Sequence, residues 1–243
     1  MTTVNLRKNV SSSNGVEICV LGVIGSGKTR FSNALVEAIR SSGKQCKALL
    51  EPASKTNPYL SDFYKDPEKY GFSMQIYLLN KRFEQQLLAQ SLCLAGENCV
   101  MDSSIFSDSC FVNLLEKDGV ISKRDCDTYF ELFQNMSRDC LYPTAVVYLD
   151  CTIEKNVERI NKRMTEKAGR ACESAIDKDY LYKLKLEIEQ LVTGFQRYTH
   201  VIRLDWNEDL TQEQIEAKAL EVYNDIVLVN EKEPIRCFLG VDG

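Results

Sequence analysis

Residues 22–29 read Gly-Val-Ile-Gly-Ser-Gly-Lys-Thr, the pattern G-x-x-x-x-G-K-[ST]. In such a run Gly22, Gly25, Ser26 and Gly27 let successive backbone N–H groups turn inward around phosphate oxygens. Lys28 can reach the outer phosphates, and Thr29 offers a hydroxyl to Mg²⁺. A Gly/Ser turn that merely joins a strand to a helix would share this composition. Here an apolar run precedes the pattern and a helical one follows it, so a helix N-terminus adds its favourable dipole to a bound anion. The chemistry implied is the handling of a nucleoside triphosphate.

A phosphate loop does not name the reaction. A GTPase would carry D-x-x-G and N-K-x-D, yet no D-x-x-G occurs, and the two Asn-Lys pairs continue as Asn80-Lys81-Arg82-Phe83 and Asn161-Lys162-Arg163-Met164. The L-S-G-G-Q signature of transporter ATPases is also absent. Glu51-Pro52 directly follows a second apolar run, which puts a carboxylate at the edge of a sheet where open α/β folds bind ligands. There it can accept a proton from an attacking hydroxyl, although an isolated Glu-Pro pair also suits a solvated turn.

The elements that must position these residues follow from periodicity. Strand-like runs recur at 16–21, 46–50, 98–101, 145–149 and 200–204, separated by helical stretches at 29–42, 67–95, 107–116, 122–137, 153–163, 179–193 and 211–227. Asp66-Pro67 supplies an N-cap and a first-turn proline for the longest helix, and Gly96 closes it. Thr211 with Gln214 forms a capping box for the last. The alternation predicts a five-stranded parallel sheet flanked by helices, an α/β fold of the P-loop kind. With no repeat and no long Pro/Gly-rich linker, one domain is expected at 16–228, between a flexible tail at 1–15 and another at 229–243.

Beyond the phosphate loop, Glu51-Pro52, Asn57-Pro58-Tyr59-Leu60, Phe63-Tyr64-Lys65-Asp66-Pro67, Phe72-Ser73-Met74-Gln75 and Leu78 to Arg82 together resemble the deoxynucleoside kinase family, and its bacterial-type purine members most. The resemblance covers about residues 16–204. It implies transfer of the ATP γ-phosphoryl to a deoxynucleoside 5′-hydroxyl, most of all that of deoxyadenosine, with Mg²⁺ as cofactor and a homodimer as the assembly. On that resemblance Glu51 matches the general base, Tyr64 and Glu173 the pair that holds the sugar 3′-hydroxyl, and Gln75 the amide that meets the base edge. Arg82 and Asp108 match a charged couple that reads the exocyclic group. Gln75 and Arg82 are seven residues apart, two helical turns, so one face of one helix can carry both.

Two features depart from the family pattern or extend it. Asp102-Ser103-Ser104 stands where the family has Asp/Glu-Arg-Ser, so Asp102 can still serve Mg²⁺ but the arginine is missing. A lid is expected to supply cations instead. Arg159 and Arg163 lie four apart on one helical face, and Arg170 precedes Glu173 by three. Guanidinium groups there can neutralise charge on the transferring phosphoryl. The catalytic set is therefore Lys28, Glu51, Arg163 and Arg170, with Thr29 and Asp102 toward the metal.

Base preference follows from hydrogen-bond polarity. An ionised Asp108 only accepts and Arg82 only donates, which suits a base with an exocyclic amine beside an acceptor, as in adenine and cytosine. Thymine would set its O4 against Asp108 at about 1–3 kcal/mol when buried, and guanine would satisfy Arg82 but not Asp108. The choice of adenine over cytosine comes from the resemblance. Deoxycytidine or broad-specificity kinases remain the near alternatives, and a nucleoside monophosphate kinase or a weakly catalytic nucleotide-binding protein the distant ones.

Composition bounds the partners. The chain has 243 residues, 44% hydrophobic and 27% charged, with 30 Lys and Arg against 35 Asp and Glu, a net charge of −5. An acidic balance disfavours nucleic acid and anionic membrane surfaces, and no apolar run reaches the length of a span. None of the ten cysteines forms a C-x-x-C pair, so they read as core hydrophobes in a reducing, cytoplasmic setting. The Ser-rich, acid-free opening with Arg7 and Lys8 reads as a disordered tail and also fits a short organellar presequence. The apolar residues of 235–239 suggest that the C-terminal tail docks on a neighbour in a larger assembly.

Overall fold

The computed structural model describes residues 15–50, 57–166 and 176–230. Five strands, β1 (Glu17–Leu21), β2 (Cys46–Leu50), β3 (Asn98–Asp102), β4 (Ala145–Asp150) and β5 (His200–Asp205), form one sheet in the order β2-β3-β1-β4-β5, every pair parallel. The order reverses about β1, because the chain runs from it to one side and returns past it to reach β4. Such a switch point leaves a crevice at the carboxyl ends of the strands, where ligands bind.

Among the described residues eight α-helices accompany the sheet: α1 (Lys28–Ser41), α2 (Leu60–Lys65), α3 (Pro67–Leu94), α4 (Asp108–Lys117), α5 (Lys123–Ser137), α6 (Ile153–Glu166), α7 (Lys178–Phe195) and α8 (Gln212–Asn230). The alternation along β1 divides them into two layers. Ile18 and Val20 point to a core shared with Phe31, Leu35 and Ile39 of α1 and Ile215, Val222 and Ile226 of α8. Cys19 and Leu21 point the other way, to a core with Leu79 of α3, Leu114 of α4, Tyr129 of α5 and Leu184 and Ile188 of α7. Burial on both faces is why the central strands carry nearly continuous apolar runs.

The capping signals act as their chemistry requires. The Asp66 side chain accepts from the Lys69 N–H at 3.2 Å, with Pro67 in the first turn of α3. Thr211 and Gln214 exchange bonds of 2.8 and 3.3 Å before α8. Three differences from the expected elements concern the site. α2 falls in a stretch to which the sequence pattern assigned no element, α6 runs on to Glu166 rather than ending at 163, and α8 continues to Asn230. Among the described residues no helix is long and apolar enough to cross a membrane, and the eight described cysteines are free and buried.

Candidate active site

The phosphate loop leaves β1 and enters α1 at the switch point. Gly25 and Gly27 adopt φ of 85° and 92°, a region that favours glycine. A Cβ on Gly25 would also lie 2.7 Å from the Asn156 carbonyl oxygen of α6, so the loop packs too tightly there for any side chain. Lys28 Nζ reaches back across the loop to the carbonyls of Gly22 at 2.9 Å and Val23 at 3.3 Å. Among the described residues Lys28 has no carboxylate partner, so its charge is open to a phosphate. Gly22 and Ser26 are buried, and both shape the loop from within.

Thr29 Oγ1 donates to Asp102 Oδ2 at 2.7 Å, joining the first turn of α1 to the end of β3. A hydroxyl and a carboxylate side by side are hard oxygen donors. The described residues hold no cluster of three or more His, Cys, Asp and Glu fit for a metal. An ion on this pair would complete its shell with phosphate oxygens and water, which is the habit of Mg²⁺.

Two cavities open at the loop. The first, about 310 Å³, lies over α3 and is lined by Thr29, Tyr64, Gln75, Arg82, Asp102 and Arg163, with apolar walls from Phe63, Met74, Leu78 and Phe111. Gln75 and Arg82 thus share one face of α3, as their spacing predicts. Gln75 is 2% exposed and its Oε1 has no partner among the described residues, an acceptor in want of a donor. The second, about 260 Å³, lies between α6 and the β5–α8 connection, lined by Arg159, Lys162, Trp206, Glu208 and Leu210. Arg159 closes its floor, donating to Ser26 O at 3.3 Å and Glu208 O at 2.8 Å. Gly25, Gly27, Arg30 and Arg163 line both cavities.

Asp108 stands differently from its expected place. It is fully buried and absent from the cavity wall, with Arg82 on Oδ1 and the Tyr129 hydroxyl donating to Oδ2 at 2.7 Å. What lines the cavity is Arg82, and Asp108 stands behind that guanidinium. Ser103 is 8% exposed and accepts from Ser107 Oγ at 2.8 Å, which leaves no cation at its position.

Glu51, Arg170 and Glu173 lie outside the described residues. The strand leading to Glu51 ends at Leu50, which is in register with Asp102 and whose carbonyl accepts from Gln85 Nε2 at 2.7 Å. Three contributors escaped sequence reasoning. Arg30 lines both cavities and among the described residues has no carboxylate partner, only Gln212 Oε1 at 3.3 Å. Its place next to Thr29, in the first turn of α1, was a readable signal. Phe111 and Tyr180, also on the first cavity, read in sequence as ordinary core aromatics.

The family model for deoxynucleoside kinase matches residues 18–228. The deoxyadenosine kinase of Dictyostelium discoideum is 36% identical over 95% of this chain and 87% of its own length. The deoxyguanosine kinase of the same organism is 32% identical over 84% of this chain and 70% of its own. Among solved structures, deoxyadenosine kinase from M. mycoides superposes with a TM-score of 0.69 at 24% identity, over 86% of this chain and 99% of that one, which bears on the fold. A phosphate loop at the switch point, a second pocket beside it, and a match that spans nearly all of the sheet and its helices agree in one assignment: this chain belongs to the deoxynucleoside kinase family.

Proposed function

We propose that the chain transfers the γ-phosphoryl of ATP to the 5′-hydroxyl of deoxyadenosine. The observation that carries this reading is the meeting of the two cavities at Gly25, Gly27, Arg30 and Arg163. ATP in the second cavity lays its phosphates along the loop, and a deoxynucleoside in the first brings its hydroxyl to the γ-phosphoryl from the opposite side. Lys28 then has phosphate oxygens to bind in place of loop carbonyls. Thr29 and Asp102 would hold Mg²⁺, which when bound supplies charge neutralisation at the phosphate oxygens. Tyr64 and Glu173 hold the sugar, and Glu51 takes the 5′-hydroxyl proton as the oxygen attacks.

Gln75 can accept from the adenine amine and donate to the ring nitrogen on one side of it, while Arg82 donates to the ring nitrogen on the other side. With Asp108 withdrawn from the wall, thymine is handicapped less than direct contact with that carboxylate would imply, because its N3–H and O4 also suit an amide. The names of the two relatives support a purine, and that of the more similar one supports adenine. Steady-state kcat/KM for the four common deoxynucleosides tests the choice. Deoxyadenosine is expected to lead. Deoxycytidine in first place would remove the purine preference, and thymidine there would remove the preference for a base with an exocyclic amine.

Ser103 requires cations from elsewhere. Arg30 and Arg163 flank the path between the cavities, and Arg170 is the remaining lid candidate. Arg163→Ala and Arg170→Ala should each cut turnover at least about tenfold, since each would remove charge stabilisation that strengthens in the transition state. Ser103→Arg should restore part of the loss. Unchanged turnover in both alanine variants would exclude the lid.

A homodimer is the assembly we favour. Leu87, Leu88 and Leu94 of α3 are 46–59% exposed and give a second copy an apolar surface to cover. Its free buried cysteines suit the reducing cytoplasm.

A further inference from the structure

Tyr129 of α5 is fully buried, 21 residues from Asp108 in sequence. A buried phenol needs a partner for its hydroxyl, and this one donates to Asp108 Oδ2 at 2.7 Å while Arg82 meets Oδ1. Its ring is fixed in turn, stacked on Phe133 at 6.2 Å between centroids and met edge-on by Phe130 at 5.3 Å. Burial raises the Tyr129 pKa well above the ordinary phenol value, so the oxygen keeps its proton and faces the carboxylate as a donor. Arg82 lies 5.7 Å over the Phe111 ring, and of the three polar partners it alone lines the cavity.

We infer that Tyr129 is a positioning residue for base selection, holding Asp108 so that Oδ1 stays turned to Arg82 and fixes the angle at which the guanidinium enters the cavity. The terminal torsion of a carboxylate is broad and nearly two-fold. With Oδ2 released, Asp108 can rotate and Arg82 can follow it. A donor free to move accommodates bases whose acceptors lie elsewhere, so selection suffers more than phosphoryl transfer does. The inference rests on the reading of Arg82 as the group that faces the base.

The test measures kcat/KM for the four deoxynucleosides, with melting temperatures, in the full chain, Tyr129→Phe, Arg82→Gln, Asp108→Asn and the Asp108→Asn/Tyr129→Phe double variant. Tyr129→Phe deletes one oxygen and keeps the ring contacts, so the protein is expected to fold. The ratio between the best and poorest substrates should shrink about tenfold, the scale of a lost hydrogen bond to a charged group. In the Asp108→Asn background the same substitution should change the ratio little further, because both act through one path. A proportional fall for all four substrates in Tyr129→Phe, while Arg82→Gln does shift the ratio, would overturn the inference alone. A full Tyr129→Phe effect retained beside Asp108→Asn would overturn the path through Asp108. An unchanged ratio in Arg82→Gln would overturn the base-facing reading and this inference with it.

Discussion

Replacing Glu51 by Gln should leave ATP binding nearly intact and lower turnover by about 10²–10⁴-fold, the usual cost of removing a general base. The substitution keeps the size of the side chain and removes only its capacity to take a proton. Lys28→Ala gives the contrasting result, since that ammonium belongs to phosphate handling, and there the apparent affinity for ATP should fall with the rate. Single-turnover rates together with equilibrium titration of ATP separate the two effects. Near-normal turnover in Glu51→Gln would mean that another group accepts the 5′-hydroxyl proton.

The second large effect is on stability. Arg82 and Asp108 are 3% and 0% exposed at their side chains and in direct contact. A buried ion pair contributes little net stability, yet removing one partner strands the other charge in a poorly solvated place, at a cost of about 3–5 kcal/mol. Asp108→Ala should therefore lower the melting temperature by roughly 6–20 °C, taking about 2–4 °C per kcal/mol for a chain of this size. The paired change Arg82→Met/Asp108→Leu should recover most of that loss while abolishing base discrimination. If Asp108→Ala melts within a degree or two of the parent, Arg82 is solvated in solution and the pair is not what fixes it.

The sheet was readable because its central strands are apolar on both faces and the chain between strands is helical with explicit caps, as at Asp66-Pro67 and Thr211. The phosphate loop was readable because phosphate contact needs glycines, a lysine and a hydroxyl at fixed offsets. α2 was not, since the six residues Leu-Ser-Asp-Phe-Tyr-Lys are too few to show a helical period. Local pattern alone makes Asp108 a first-turn acid at the start of α4, where a carboxylate favours the helix dipole, and its coupling to Arg82 came only from the family resemblance. Only tertiary packing turns it inward onto Arg82. Tyr129 is a similar case: its spacing to Cys126 and Phe133 marks a core face, and nothing local shows that its hydroxyl ends on a residue of another helix. Pairings that join helices distant in sequence are set by how the layers close, and a single chain's pattern carries little of that. Spacing on one helix, as for Gln75 and Arg82, carries a great deal.

The central claim is most directly tested by following the phosphoryl group. The full chain is incubated with Mg²⁺, deoxyadenosine and ATP labelled at its γ-phosphorus, and the products are separated. The account predicts labelled deoxyadenosine 5′-monophosphate formed one for one with ADP, and at least about a hundredfold less in the Glu51→Gln variant at matched times. Labelled inorganic phosphate with no labelled nucleotide from any of the four deoxynucleosides, or label entering only when a deoxynucleoside monophosphate is supplied, would contradict it.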